Sequence, residues 1–324
     1  MDSRHETRRF TVEGHARGER LDHVVQGFVP DVSRTRLQAW IRAGQVRFQG
    51  AVVKKPGLIL LDGGPLEVDV EVVPESIADP AAIGDLTVLF ADEHLVVVDK
   101  PAGLLTHRNS EHGERGAADV LVERFGLLGS LGDPLRPGVA HRIDRETSGV
   151  LVFGRTDAAL SALKDQFRAR QVAKTYVAVV HGNPRFDSDW IEKRLGRSER
   201  AKDRIGIVGE GEGRAATTYY ETRERFHGFA RLEVHPKTGR THQIRVHLAS
   251  VGLPIVGDEL YRPRGRSLSR LPADVEPMRR QALHAARLEF DHPASGARLT
   301  FEAPVPRDLA ALLEGLRVHA PERG

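Results

Sequence analysis

Apolar and polar positions alternate in short runs along most of this chain, and only a few stretches carry the three-to-four spacing of a helix. Leu86 to Phe90 and Leu95 to Val98 are β-rich runs on either side of the polar turn Ala91-Asp92-Glu93-His94. Val150 to Phe153 is a continuous apolar run, the mark of a buried strand. Lys174 to Val180 predicts another strand, with Tyr176, Ala178 and Val180 on one face and Thr175, Val177 and Val179 on the other. Leu232 to Val234 adds a further strand, and Arg287–Phe290 and Arg298–Glu302 flank a turn at 292–296. Helical spacing is clearest at Leu160, Leu163 and Phe167 behind the cap Thr156, and a closing helix runs from about Asp308 to Leu316. Ile244, Leu248 and Val251 outline one more helix, with Thr241 as its N-cap, Gly252 just past its end and Pro254 beyond. That helix sets Arg245 beside an apolar face, where a charge needs an acceptor, and Asp144 is a plausible partner.

The first third of the chain reads differently. Residues 1–18 are expected to form a flexible tail, loose to about Phe10. Ser33 then predicts a helix N-cap, with Leu37, Trp40 and Ile41 apolar and Gly44 ending the helix. Arg34, Gln38 and Arg42 follow at spacings of four and make one polar stripe. Val46 and Phe48 alternate with polar neighbours, Gln49-Gly50 turns the chain into Ala51-Val52-Val53, and Leu66, Val68 and Val70 predict a last strand. This order of elements over residues 19–73 resembles the small RNA-binding module shared by a ribosomal small-subunit protein and tyrosyl-tRNA synthetases. The Pro- and Ala-rich stretch 74–84 reads as a linker, and a second domain is expected over 85–318.

Composition narrows the chemistry. At 324 residues, 40% hydrophobic and 29% charged, the chain has enough apolar content for one large domain or two. No apolar run is long enough to span a bilayer, and the opening MDSRHETRRFTVEG lacks the apolar core of a signal peptide, so a cytoplasmic location is expected. The absence of cysteine excludes disulfides, thiolate zinc sites and cysteine nucleophiles together. Net charge is only +3, yet Arg34, Arg36, Arg42, Arg47, Lys54 and Lys55 occur without one acidic residue between them. Such a run favours contact with a polyanion. A second basic stretch, 192–204, has the composition of a solvated loop, and the arginines between Arg262 and Arg280 suit an RNA-facing loop and a solvated insertion equally. Gly209 to Gly213 mimics a phosphate loop, but its two glutamates would repel phosphate. His242 and His247 are five apart, which does not align two ligands on one helix face, and no metal site is expected.

The densest concentration of polar groups is His141-Arg142-Ile143-Asp144-Arg145-Glu146-Thr147-Ser148-Gly149, a charged loop feeding the buried run at Val150. Read alone, Asp144 is either a turn-capping or ion-paired carboxylate or a catalytic one. Taken together, LRPGVAHRIDRETSGVLVFGRT, KTYVAVVHG, TGRTHQIRVHLASVGLPIVGD and QALHAARLEFDHPASG are similar, in order, to the signature blocks of the RluA-type pseudouridine synthases. The departures, Ile143, Gly154-Arg155 and His107-Arg108-Asn109, leave the aspartate in place. The resemblance implies an α+β fold: a mixed, mainly antiparallel β-sheet catalytic domain with flanking helices, preceded by the small α/β RNA-binding module. It implies that Asp144 is the essential aspartate, that Tyr176 packs against the target base, that Arg245 pairs with the aspartate and that Arg142 helps open the RNA. It further implies conversion of uridine to pseudouridine in large-subunit ribosomal RNA by a monomer without cofactor.

The physical requirements agree. A stacked uridine must be flipped out at a cost of a few kcal/mol before its ribose is reachable. An aspartate is already a carboxylate at neutral pH, which suits a nucleophile or base and not an acid. Two rivals stand beside this reading: a glycosidase-like hydrolase, which needs two carboxylates roughly 5–9 Å apart, with Glu146 the only near neighbour, and an RNA-binding factor without catalysis.

Overall fold

The computed structural model describes residues 5–29, 34–71, 82–83, 86–108, 114–126, 128–131, 133, 135–198, 201–263 and 268–319. Its first unit comprises β1 (His5–Val12), α1 (Leu21–Phe28), α2 (Arg34–Ala43), β2 (Val46–Phe48), β3 (Ala51–Val52) and β4 (Gly64–Glu71). The four strands form one sheet in the order β1-β4-β2-β3. Leu21, Val25, Leu37, Ile41, Leu66 and Val68 bury its core, at the helical and alternating spacings the sequence sets. The carboxylate of Asp22 is fully buried between the helices, where it accepts Arg20 Nε and Nη2 at 3.0 and 3.1 Å and Gln38 Nε2 at 2.6 Å. Gln38 thus links α2 to α1 through its amide nitrogen, while its Oε1 accepts Arg42 Nη2 at 3.4 Å along the expected polar stripe. Gln49 and Gly50 turn the β2–β3 hairpin with φ of 50° and 80°, a left-handed pair matched to the twist of the strands.

The flexible tail expected over residues 1–18 is corrected from His5 onward. β1 pairs antiparallel with β4 along its whole length, and side chains bond across the pair: Thr7 Oγ1 donates to Asp69 at 2.6 Å and Arg9 Nε to Glu67 at 3.0 Å. Phe10 stacks on Phe28 at 5.0 Å. Cross-strand pairs of this kind order a segment whose composition alone looks like a tail. Ser33 and most of the 74–84 linker lie outside the described residues. Within that stretch Ala82–Ile83 (β5) pairs with the edge of a second sheet, so 82 and 83 belong to a strand.

The second sheet has eleven strands. It continues with β6 (Leu86–Ala91), β7 (Leu95–Lys100), β8 (Ser148–Gly154), β9 (Ala173–His181), β10 (Ser188–Ser198), β11 (Ala201–Val208), β12 (Arg214–Phe226), β13 (Phe229–Pro236), β14 (Leu283–Asp291) and β15 (Arg298–Glu302). The order is β11-β10-β12-β13-β9-β14-β8-β7-β6-β5, with β15 on β14, and every pairing is antiparallel except β14–β8. Helices α3 (Ala117–Phe125), α4 (Asp157–Arg168), α5 (Gln243–Ser250) and α6 (Arg307–Val318) flank it. The fold is therefore α+β with a mainly antiparallel sheet. The continuous apolar runs of β7 and β8 are covered on both faces: Val96, Val98, Leu151 and Phe153 pack toward α3, while Leu95, Val97, Val150 and Val152 pack toward Leu163 of α4. Thr156 caps α4 by accepting the Ala159 N–H at 3.1 Å.

The basic stretch at 192–204, expected to be a solvated loop, is instead largely a hairpin of β10 and β11. Its charges conceal the alternation, since Ile191 and Leu195 are buried between exposed neighbours. The arginine-rich stretch is also divided. Arg264 and Arg266 lie outside the described residues, whereas Arg280 is buried and holds Asp308 at 2.7 and 2.9 Å. Gly149, where the charged loop enters β8, has φ +117°, and a Cβ there would stand 2.2 Å from the Ala285 carbonyl oxygen. Only glycine permits this approach of β8 to β14.

Candidate active site

The loop bearing Asp144 is held by side chains from three distant segments. Thr106 Oγ1 donates to the Ile143 carbonyl at 3.0 Å. Lys100, fully buried, donates from Nζ to the carbonyls of Pro101, Leu104 and Arg145 at 2.7, 2.7 and 2.9 Å. Arg280 Nη1 donates to the Glu146 carbonyl at 3.0 Å. Burial pushes the Lys100 ammonium down to about 7, while Glu146 and Asp144 oppose that shift and three carbonyl acceptors match its three protons. The Thr147 N–H closes the turn onto the Asp144 carbonyl at 3.1 Å.

The Asp144 side chain, 18% exposed, is fixed through one oxygen only. Arg245 Nη1 donates to its Oδ2 at 3.1 Å. Arg245 is itself clamped from behind, with Nε and Nη2 donating to Asp258 at 2.7 and 3.0 Å in a bidentate fork. Burial opposes the Arg245 charge, but Asp258 and Asp144 outweigh it and hold its pKa above the ordinary arginine value. Asp258, with a side chain 1% exposed, also accepts the backbone N–H groups of Leu260 and Tyr261. The guanidinium lies over the Tyr261 ring at 5.0 Å.

These groups open onto a cleft of about 420 Å³ that Arg142, Asp144, Tyr176 and Arg245 line together. Four residues picked from the sequence thus meet in one place. Arg145 does not join them; it pairs with Glu114 on the surface. Among the described residues Asp144 is the single carboxylate in the cleft wall, against the cations Arg142, Arg168, Arg170, Lys174, Lys237, Arg240 and Arg245. Glu146 does not line it, so the paired carboxylates of a glycosidase are absent from this wall. Tyr176 sits on β9, and burial, with Asp144 adding to it, pushes its hydroxyl above the ordinary phenol range. At neutral pH it is an uncharged ring. Burial pushes Lys174 down to about 8, with Lys237 adding to the shift.

The α5 helix starts one residue later than expected. His242, with φ +54°, is its N-cap, and Thr241 makes no cap. Gln243, the first helical residue, ties the turn before α5 to β12: its Oε1 accepts Arg240 N at 3.0 Å and Thr238 Oγ1 at 2.6 Å, and its Nε2 donates to Thr217 and Thr218 at 3.0 Å. These bonds fix the turn from Thr238 to Arg240, and His242 beyond it lines the cleft. His247, the other histidine, is buried against Thr218 and does not share this site.

The basic run lies on the first unit. Arg42, Lys54 and Lys55 are exposed, Arg47 approaches Asp69 at 3.7 Å, and the side chains of Arg34 and Arg36 lie outside the described structure. Arg42, Arg47, Lys54 and Lys55 do not line the cleft.

His141, at the start of the loop, accepts the Val152 N–H on Nε2 at 3.2 Å and stacks on Phe167 at 4.4 Å. Burial pushes its pKa down to about 3, with Lys174 adding to the shift. The unfolded chain takes up this proton near pH 6.5 and the folded one does not, so stability falls as pH drops from about 6.5 to about 3. Thermal melts across that range are expected to drop more steeply for the wild type than for His141→Gln, whose amide oxygen accepts at every pH. Parallel curves would contradict this.

The family comparison agrees with this geometry. Residues 94–250 match the model of the RNA pseudouridylate synthase family. The chain is 39% identical to the ribosomal large subunit pseudouridine synthase D of Xanthomonas campestris, over 96% of this chain and 92% of that protein. It is 36% identical to an uncharacterized RNA pseudouridine synthase of Bacillus subtilis, over 95% of this chain and 97% of that protein. The human RNA pseudouridylate synthase domain containing 4 superposes with a TM-score of 0.55 at 27% identity, covering 71% of this chain and 92% of that one. This chain belongs to the RNA pseudouridylate synthase family, whose members isomerise uridine in RNA.

Proposed function

We propose that this chain forms pseudouridine in large-subunit ribosomal RNA, acting as a cytoplasmic monomer, with Asp144 as the catalytic carboxylate. The observation that carries the site assignment is the position of Asp144: the sole carboxylate among the described residues of a cationic cleft, one oxygen held by Arg245 and the other open. Cations draw in the phosphate backbone, and the flipped uridine enters with its ribose toward Asp144. Arg142, exposed at the rim, fills the gap the base leaves in the stack. Tyr176 packs against the base, and Arg245 orients the carboxylate. The free oxygen then either attacks the ribose or removes a proton from it; either act releases the base, which rejoins through carbon five. The groups named are oxygen and nitrogen functions of this chain, and the reaction as proposed uses no cofactor.

Mapping pseudouridine in large-subunit ribosomal RNA from cells with and without this protein tests the substrate. Loss of specific modified positions supports it, and an unchanged map overturns it. Residues 19–73 serve as the RNA-binding module and 85–318 as the catalytic domain in this reading, supported by the exposed cations Arg42, Lys54 and Lys55. Replacing those three with serine is expected to weaken binding about tenfold or more near 0.15 M salt and to flatten its salt dependence. Filter-binding titrations at several salt concentrations check this, and an unaltered slope would rule the patch out.

A further inference from the structure

His242 stands beside the catalytic carboxylate in a backbone conformation that side chains other than glycine seldom adopt, with φ +54°. Its Nε2 faces Asp144 Oδ1 at 3.9 Å, too long for a hydrogen bond, on the side of the carboxylate that Arg245 leaves open. Its Nδ1 lies 2.8 Å from the Tyr261 hydroxyl, which itself accepts the Ile205 N–H at 3.3 Å. Among the described residues, the only acceptor for the hydroxyl's own proton is His242 Nδ1. With the Tyr261 hydroxyl as donor to Nδ1, the ring proton is on Nε2 and the ring presents Nε2–H to the cleft. Burial lowers the imidazole pKa and outweighs the opposing pull of Asp144, so the ring stays neutral.

We propose that His242 is a further catalytic residue, whose Nε2–H donates to a carbonyl of the uracil ring as that ring leaves and rejoins the ribose. The inference rests on Asp144 being the group that acts on the ribose. By either route the C1′–N1 bond breaks with its electron pair on the base, so uracil departs as an anion with charge shared between N1 and O2. In a nucleoside O2 lies next to C1′, and a donor beside the reacting carboxylate is placed to meet it. The bond then re-forms from C5, C5 loses its proton, N1 gains one, and Asp144 ends as the carboxylate it began. A neutral imidazole N–H is too weak an acid to protonate the anion, so it stabilises the charge without quenching the ring's nucleophilicity.

The symmetry of uracil makes one donor sufficient for both stages. Turning the ring about its N3–C6 axis exchanges N1 with C5 and O2 with O4. The same N–H therefore meets a carbonyl before and after the turn. Cytosine would bring an amino group to that place, and two donors would face each other, so His242 also selects uracil.

The test uses the full chain and a large-subunit ribosomal RNA transcript carrying uridine tritiated at C5, with tritium release under single-turnover conditions as the readout. His242→Ala is expected to lose about a hundredfold in rate with RNA affinity within threefold of wild type. His242→Gln, which keeps an N–H donor, is expected to recover at least tenfold of that loss. Tyr261→Phe, a positioning variant, is expected to fall between wild type and His242→Ala, and thermal melts establish that each variant is folded. A rate for His242→Ala within threefold of wild type, or equal rates for the Ala and Gln variants, overturns the proposal. Asp144→Asn run in parallel separates the two readings: turnover there would sink the site assignment, whereas an inactive Asp144→Asn beside an active His242→Ala would sink only the role of His242.

Discussion

Asp144→Asn is expected to bind RNA as tightly as the wild type, or more tightly, and to form essentially no pseudouridine, a loss on the order of 10⁴-fold or more. The amide keeps an oxygen able to accept from Arg245 Nη1, so the contact at Oδ2 survives in shape. What disappears is the negative charge, and with it any ability to attack the ribose or take a proton from it. Binding does not suffer, because the cleft is otherwise cationic and loses its one repulsive group toward phosphate. Filter binding, thermal melting and tritium release on the same preparation separate these effects. Turnover above a few per cent of wild type would show that another group does the chemistry.

The second large effect is expected at Asp258, which meets no substrate in this reading. Asp258→Ala strands a buried guanidinium that now has two strong acceptors behind it, and it also frees the N–H groups of Leu260 and Tyr261. Breaking a buried pair from one side costs about 3–5 kcal/mol. The released Arg245 then has only Asp144 to satisfy it and is free to take both carboxylate oxygens, including the one the reaction needs. The expected result is a lower denaturation midpoint together with a drop in kcat of about a hundredfold or more and little change in KM. Asp258→Asn, which keeps one acceptor, is expected to lie between. A variant destabilised as described but with wild-type kcat would show that Asp258 holds the fold and not the chemistry.

How far the sequence reveals this site depends on the kind of constraint. The pairing of Arg245 with Asp144 is legible because an arginine beside an apolar face needs an acceptor, and Asp144 is a carboxylate set between two arginines in a conspicuous loop. Asp258 was missed by the same reasoning carried one step short: a guanidinium has five N–H donors, and one carboxylate oxygen cannot satisfy them. The buried runs of β7 and β8 are legible because apolar residues on both faces admit few other readings. β1 and the β10–β11 hairpin are not, since their charged residues mask the strand pattern and what orders them is pairing with a neighbouring strand, as Thr7 and Arg9 of β1 do with Asp69 and Glu67, which is invisible in a local window. His242 was weighed only as a metal ligand. Its place beside Asp144 depends on the turn that the Gln243 amide ties to β12, a side-chain contact that no local propensity encodes.

The carbonyls flanking Asp144 are bonded to Thr106, Lys100 and Arg280, and Arg280 is in turn tied to Asp308 on the last helix. The conformational entropy of that loop is therefore lost when the chain folds and not when RNA arrives. Binding energy from the phosphates is left for unstacking the uridine, and the carboxylate meets the ribose without first having to become ordered.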